Sequence, residues 1–119
     1  MKIDFASLGN KETTSILYIL QIKLEDKDLV KVGITNRKIE DRVCEITTAI
    51  WVKYRYFPHV YTKKFKAVSD YKEKEKQILD YFKEYRYITQ HKFCGYTELL
   101  EIDIADVVAY YDKLNKGTL

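Results

Sequence analysis

The segment Ser15-Ile16-Leu17-Tyr18-Ile19-Leu20-Gln21-Ile22 is apolar at nearly every position and rich in β-branched residues. A strand with apolar side chains on both faces must be covered on both, which puts it in the middle of a sheet with packing above and below. A second run, Leu29 to Ile34, follows the polar cluster Glu25-Asp26-Lys27-Asp28. Two such runs, so closely spaced, predict an antiparallel hairpin at the centre of the fold.

Around this hairpin the apolar period changes to that of helices. Ile39, Val43 and Ile46 form a two-turn stripe. A long helix is expected from a cap at Ser69 or Asp70 to about Tyr87, with Tyr71, Ile78, Phe82 and Tyr85 inward and Leu79 beside them. Asp103 caps a last helix, Ile104, Val107, Val108, Tyr111 and Leu114 line it, and Gly117 closes it. Between the helices, Trp51 to Phe57 alternates as a strand that Pro58 ends. Val60 to Phe65 reads as a further short strand or a loop. Thr97 to Ile102 reads as a strand after a turn at Gly95, and the first ten or so residues as an arm or loop. The order β-β-α-β-α-β-α predicts an α+β fold, a small, mainly antiparallel sheet flanked by helices. The 119 residues suffice for one domain, with a core over about 14–103 and a C-terminal helix over about 104–116.

Charge is unevenly placed. Residues 1–50 balance eight basic against eight acidic side chains, residues 51–76 carry a local +5, and residues 97–112 a local −5. The basic stretch holds Lys53, Arg55, Lys63 and Lys64 among Trp51, Tyr54, Tyr56, Phe57 and Tyr61. A basic face with interleaved aromatics suits a polyanion, and a solvated face that keeps the chain soluble is the plainer reading. The longest apolar run, Ile16 to Leu20, is far below the roughly 20 residues of a membrane helix. No charged-then-apolar leader opens the chain, and Cys44 and Cys94 fit no metal spacing. A reduced, cytoplasmic setting without a membrane is therefore expected.

Three residues break the packing pattern around them. Lys31 interrupts Val30-Lys31-Val32, either as the exposed side of a half-buried strand or as a site residue. Arg42 sits beside the Ile39/Val43/Ile46 stripe, where a rim arginine with its stem on the sheet is the plain alternative. Glu75 fills the slot four residues after Tyr71 in an inward stripe, and a carboxylate there needs a cation, a metal or a proton. Glu73 is the neighbouring choice, but falls off the stripe. Tyr18, on the central strand with Ile16, Leu20 and Ile22, needs a partner for its hydroxyl if buried.

These residues occur in pieces that resemble the GIY-YIG nuclease superfamily, in particular its small phage and bacterial branch. The pieces are Leu17-Tyr18-Ile19, then Lys31-Val32-Gly33-Ile34-Thr35, then Asn36 to Val43 with Arg37 and Arg42. Glu75-Lys76-Gln77-Ile78-Leu79 and Gly95-Tyr96-Thr97-Glu98-Leu99-Leu100 follow in order, so the likeness covers Ile16 to about Ile102. Ile16 stands where the first signature has glycine and Lys31 where many members have a second tyrosine. No residue matches the late asparagine of some members.

The resemblance implies a DNA endonuclease that hydrolyses phosphodiesters with one divalent ion, Mg²⁺ or Mn²⁺. Tyr18 would be the base, Arg42 the contact to the scissile phosphate, Glu75 the metal ligand, and Lys31 a cation in place of the second tyrosine. Because tyrosine has a reference pKa of about 10, such a base requires positive charge nearby. Gly33, Thr35 and Arg37, with the basic residues Lys53, Arg55, Lys63 and Lys64, would contact DNA. Glu98 and His91 are accessory candidates. With no appended DNA-binding domain, specificity would be low or supplied by a homodimer or a protein partner. The alternative is the same fold kept as a non-catalytic DNA-binding or protein-interaction module, for example in phage–host conflict.

Overall fold

The computed structural model describes residues 14–93 and 95–116. The expected N-terminal arm, Cys94 and the closing Gly117 lie outside them. Strand β1 (Ser15–Leu24) pairs antiparallel with β2 (Lys27–Thr35) in unbroken register from Ile16↔Thr35 to Leu24↔Lys27. The hairpin is longer than its apolar runs because Glu25 and Asp26 alone turn the chain, both at positive φ (55° and 63°). That is the backbone hand that matches the twist of paired strands.

Helix α1 (Ile39–Tyr54) packs on one face of the hairpin, and α2 (Tyr71–Tyr81) and α3 (Ile104–Lys116) on the other. Strand β3 (His59–Val68) lies beside β1, and the short β4 (Leu99–Leu100) beside β2, so the antiparallel sheet runs β3-β1-β2-β4. This is the expected α+β arrangement. Alternation along β1 divides the core in two. Leu17 and Ile19 meet Ile78, Phe82, Val107 and Tyr111 on one side. Tyr18, Leu20 and Ile22 meet Ile39, Ile46 and Ile50 on the other. The Tyr111 hydroxyl donates to the Leu17 carbonyl at 2.7 Å and ties α3 to the central strand.

Four expectations change. Trp51–Tyr54 is helix, since Ile46, Ile50 and Tyr54 extend the α1 stripe at i+4, and Arg55 ends it in the left-handed conformation (φ 65°). Pro58 therefore precedes a strand, and Val60 to Phe65 lies wholly inside β3. Helix α2 stops at Tyr81 rather than Tyr87. A 3-10 turn, Lys83–Tyr85, follows, and the next backbone bonds β4: Tyr87 N–H donates to Leu99 O and Glu101 N–H to Tyr85 O. Of the strand expected over Thr97 to Ile102 only Leu99–Leu100 pairs with β2, while Tyr96–Glu98 forms a second 3-10 turn. The last helix begins as expected, with Asp103 Oδ1 accepting from the Ala105 N–H at 3.0 Å.

Candidate active site

Register brings the first site residues together. Tyr18 on β1 sits directly opposite Gly33 on β2, so both face α1. A β-carbon at residue 33 would collide with the Tyr18 hydroxyl and Cζ, so only glycine lets the ring lie across β2. The ring is fully buried, and its hydroxyl accepts a hydrogen bond from Arg42 Nε on α1 at 3.2 Å. Two residues before Gly33 on the same face, Lys31 is fully buried, with its ammonium 5.8 Å from the Tyr18 ring centroid. It is not the exposed side of a strand.

The Lys31 ammonium donates to Glu98 Oε1 at 2.6 Å. Glu98 reaches it because the 3-10 turn, not a strand, presents its side chain there. Gly95 opens that turn at φ 92°, and a β-carbon on it would stand 2.9 Å from both Cε and Nζ of Lys31. Glycine is needed at residue 95 both for the backbone hand and for room beside the lysine.

Glu75 completes the group from α2. Burial pushes its carboxyl up to about 7, the Glu98 carboxylate adds to the rise, and Lys31 opposes it. Its Oε2 is buried and makes no hydrogen bond. An orphaned carboxylate oxygen beside a second carboxylate is what a cation would satisfy. Among the described residues no three or more His, Cys, Asp or Glu cluster into a metal-holding set. A metal here would rest on Glu75, with Glu98 beside it and water completing the shell. Mg²⁺ accepts such a sparse protein shell, whereas structural Zn²⁺ does not. Glu73 is exposed.

Two arginines extend the cluster toward solvent. One carboxylate, Glu45, holds Arg37 through Oε2 and Arg42 through Oε1, the latter at 3.0 Å. Both bonds pull the Glu45 carboxyl below its ordinary range. Thr35 Oγ1 accepts from the Arg37 N–H at 3.2 Å, and Thr35, Asn36, Arg37 and Arg42 line a shallow polar cavity of about 350 Å³. Glu45 is not among the site residues expected from the sequence, and Gly95 is expected only as a turn before the closing strand. The signal for Glu45 was its i+3 spacing from Arg42 on one helix.

The remaining candidates make their contacts elsewhere. Lys53 is exposed in the last turn of α1, and Arg55 lies over the Trp51 ring at 5.1 Å. Lys63 lies 5.9 Å from the Tyr61 ring centroid, and Lys64 pairs with Asp112 of α3 at 3.1 Å. His91 packs edge-on against Tyr54 at 4.7 Å, and its N–H donates to the Tyr54 hydroxyl. The acidic 97–112 segment is largely used internally: Glu98 pairs with Lys31, Glu101 with Lys27, Asp112 with Lys64, and Asp103 caps α3. No helix among the described residues is long and apolar enough to cross a membrane.

Compared with known protein families, residues 15–115 match the T5orf172 domain. No curated protein and no solved structure matches the chain.

Proposed function

This chain belongs to the T5orf172 domain family, a phage-associated, endonuclease-related group, and from that premise we propose that it is a metal-dependent DNA endonuclease of the GIY-YIG type. The observation that carries the proposal is the contact chain Arg42–Tyr18–Lys31–Glu98–Glu75, which joins residues from β1, β2, α1, α2 and the Gly95 turn. A packing role alone does not require a buried lysine, a buried tyrosine hydroxyl and an orphaned carboxylate oxygen in one place.

Each residue has a step. Once its own proton has passed to solvent, the Tyr18 oxygen, fixed under Gly33 beside the cations Arg42 and Lys31, accepts the proton of an attacking water. Arg42 exchanges Glu45 for a phosphate oxygen and offsets the charge that grows on it in the transition state. Lys31 keeps positive charge beside the Tyr18 ring. Glu75, with Glu98, would hold Mg²⁺ or Mn²⁺, which when bound would supply Lewis-acid polarisation of the phosphodiester and stabilisation of the leaving oxygen. Thr35 and Arg37 take the adjoining phosphate in the cavity they line with Arg42. Lys53, Arg55 and Lys63 serve the longer-range attraction to DNA, which salt screens.

The test is nicking of supercoiled plasmid in Mg²⁺ or Mn²⁺ by wild type and Glu75→Ala. Cutting by wild type, abolished by chelator and by the substitution, is expected. DNA binding without cutting in either metal would assign the chain to the non-catalytic alternative.

A further inference from the structure

We infer that the open edge of β3 is a platform for an unpaired nucleic-acid strand, with Phe65 stacking on a base beside the Tyr18 site. This rests on the nuclease reading for its place in a reaction, and it names the substrate class: DNA with a single-stranded segment, a flap or a frayed end.

Strand β3 bonds to β1 along one edge, and no described strand lies on the other. The edge is not apolar by accident of composition. Phe65 is 58% exposed and Tyr61 55%, on a strand whose other residues are mostly exposed too. Phe65 is the register partner of Tyr18, so it stands one strand away on the same face as the buried tyrosine. A base held there would lie next to the proposed cutting site.

The edge is built against a second protein strand. Ile19 pairs with Lys64 and Leu20 with Thr62, so Lys63 is the extra residue of a bulge. Lysines and bulges are what keep an open edge from adding another strand. Lys63, Lys64 and Lys66 fall within residues 59–68, which contain no acidic residue. Lys64 is neutralised by Asp112, while Lys63 and Lys66 are exposed. Tyr61 and Lys66 pair with Gln21 and Leu17 and so face away from Phe65. That leaves Phe65 and, two residues before it at the bulge, Lys63 as an exposed ring and an exposed cation at the edge, a pair that fits an unpaired base and its phosphate. A continuous duplex keeps its bases stacked on one another and offers Phe65 none of them, so the ring selects unpaired DNA.

The experiment measures affinity for a fluorescent 30-nucleotide single strand and for the matching duplex, in EDTA so that nothing is cut. Wild type should favour the single strand. Phe65→Ala should weaken single-strand binding roughly 10-fold and leave duplex binding unchanged, while Phe65→Trp should retain it. An unaffected Phe65→Ala protein, an equal loss on both forms, or tighter duplex binding would overturn the inference. Circular dichroism of both variants should match wild type, and Phe65→Trp serves as the folded control. Cutting separates the two claims. Loss of single-strand binding in Phe65→Ala, with no cutting by wild type, keeps the platform and removes the nuclease. Wild-type cutting, with Phe65→Ala equal to wild type in both cutting of and affinity for single-stranded DNA, keeps the nuclease and removes the platform.

Discussion

Arg42 Nε donates to the Tyr18 hydroxyl at 3.2 Å across the interface between α1 and the central strand. The bond fixes a buried phenol and a guanidinium in one geometry. It depends on the space above Gly33, where the Tyr18 ring lies.

Gly33→Ala is therefore expected to expel the Tyr18 ring. The cost should be roughly 1–3 kcal/mol, the range for overpacking a filled core. Urea denaturation measures it, and loss of DNA cutting should exceed the loss of folded protein. Wild-type stability in the variant would mean that the ring does not occupy this space.

Lys31 and Glu98 differ in what their loss leaves behind. Glu98→Ala strands a fully buried ammonium and should cost about 3–5 kcal/mol. Lys31→Met leaves a carboxylate that is partly exposed, and should cost distinctly less. Denaturation midpoints of the two variants check the order, and the reverse order would contradict the pairing.

Glu25 gives the fold an acid limit. It accepts from the hydroxyls of Tyr54 and Tyr87 and from the Gln90 N–H, tying the hairpin turn to the end of α1 and the segment after α2. Burial raises its carboxyl, but these bonds outweigh that and hold it below its ordinary range. A depressed carboxyl stabilises the fold above its unfolded value and loses that contribution as pH falls through the folded one. Glu25→Gln should thus lower stability near pH 7 by about 1 kcal/mol, discounted for partial exposure. The difference from wild type should shrink in thermal melts as pH falls below the ordinary glutamate range and through the lowered folded value.

How much of this was readable beforehand depended on whether the signal was local. The central hairpin and the roles of Ile39, Val43 and Ile46 follow from apolar period alone, because burial on two faces or one leaves a direct trace. Glu75 stood out for the same reason, as a carboxylate in an inward stripe. Trp51–Tyr54 is helix although it alternates like a strand, because the same residues continue an i+4 helical stripe through Ile50 and Tyr54. Glu98 reads as a strand residue because nothing in Thr97-Glu98-Leu99 reveals that only Leu99 and Leu100 find partners on β2. Glu45 acts locally, on Arg37 and Arg42, through a helical spacing that many surface glutamates share, whereas Gly95 makes room for Lys31, far earlier in the chain, which no single stretch displays.

Glu75 ties the pH dependence of stability to the proposed metal site. Its carboxyl is held up to about 7 in the metal-free fold, so the folded protein binds more protons than the unfolded chain between the ordinary glutamate range and about 7. Stability should fall as pH rises through that window and then level off. Glu75→Gln removes this dependence, and above pH 7 should be the more stable protein by at most about 3 kcal/mol. Millimolar Mg²⁺ or Mn²⁺ should raise the melting temperature of wild type and leave Glu75→Gln unmoved. Equal shifts in both would place the ion elsewhere.

The most direct measurement is single-turnover DNA cleavage in Mg²⁺ or Mn²⁺ by wild type and Tyr18→Phe, with DNA affinity measured in parallel. The substitution removes one oxygen and keeps the ring that packs against Gly33. Cleavage slowed by about 10²–10⁴, with affinity unchanged, is the predicted result. Cleavage by Tyr18→Phe at the wild-type rate would contradict the account.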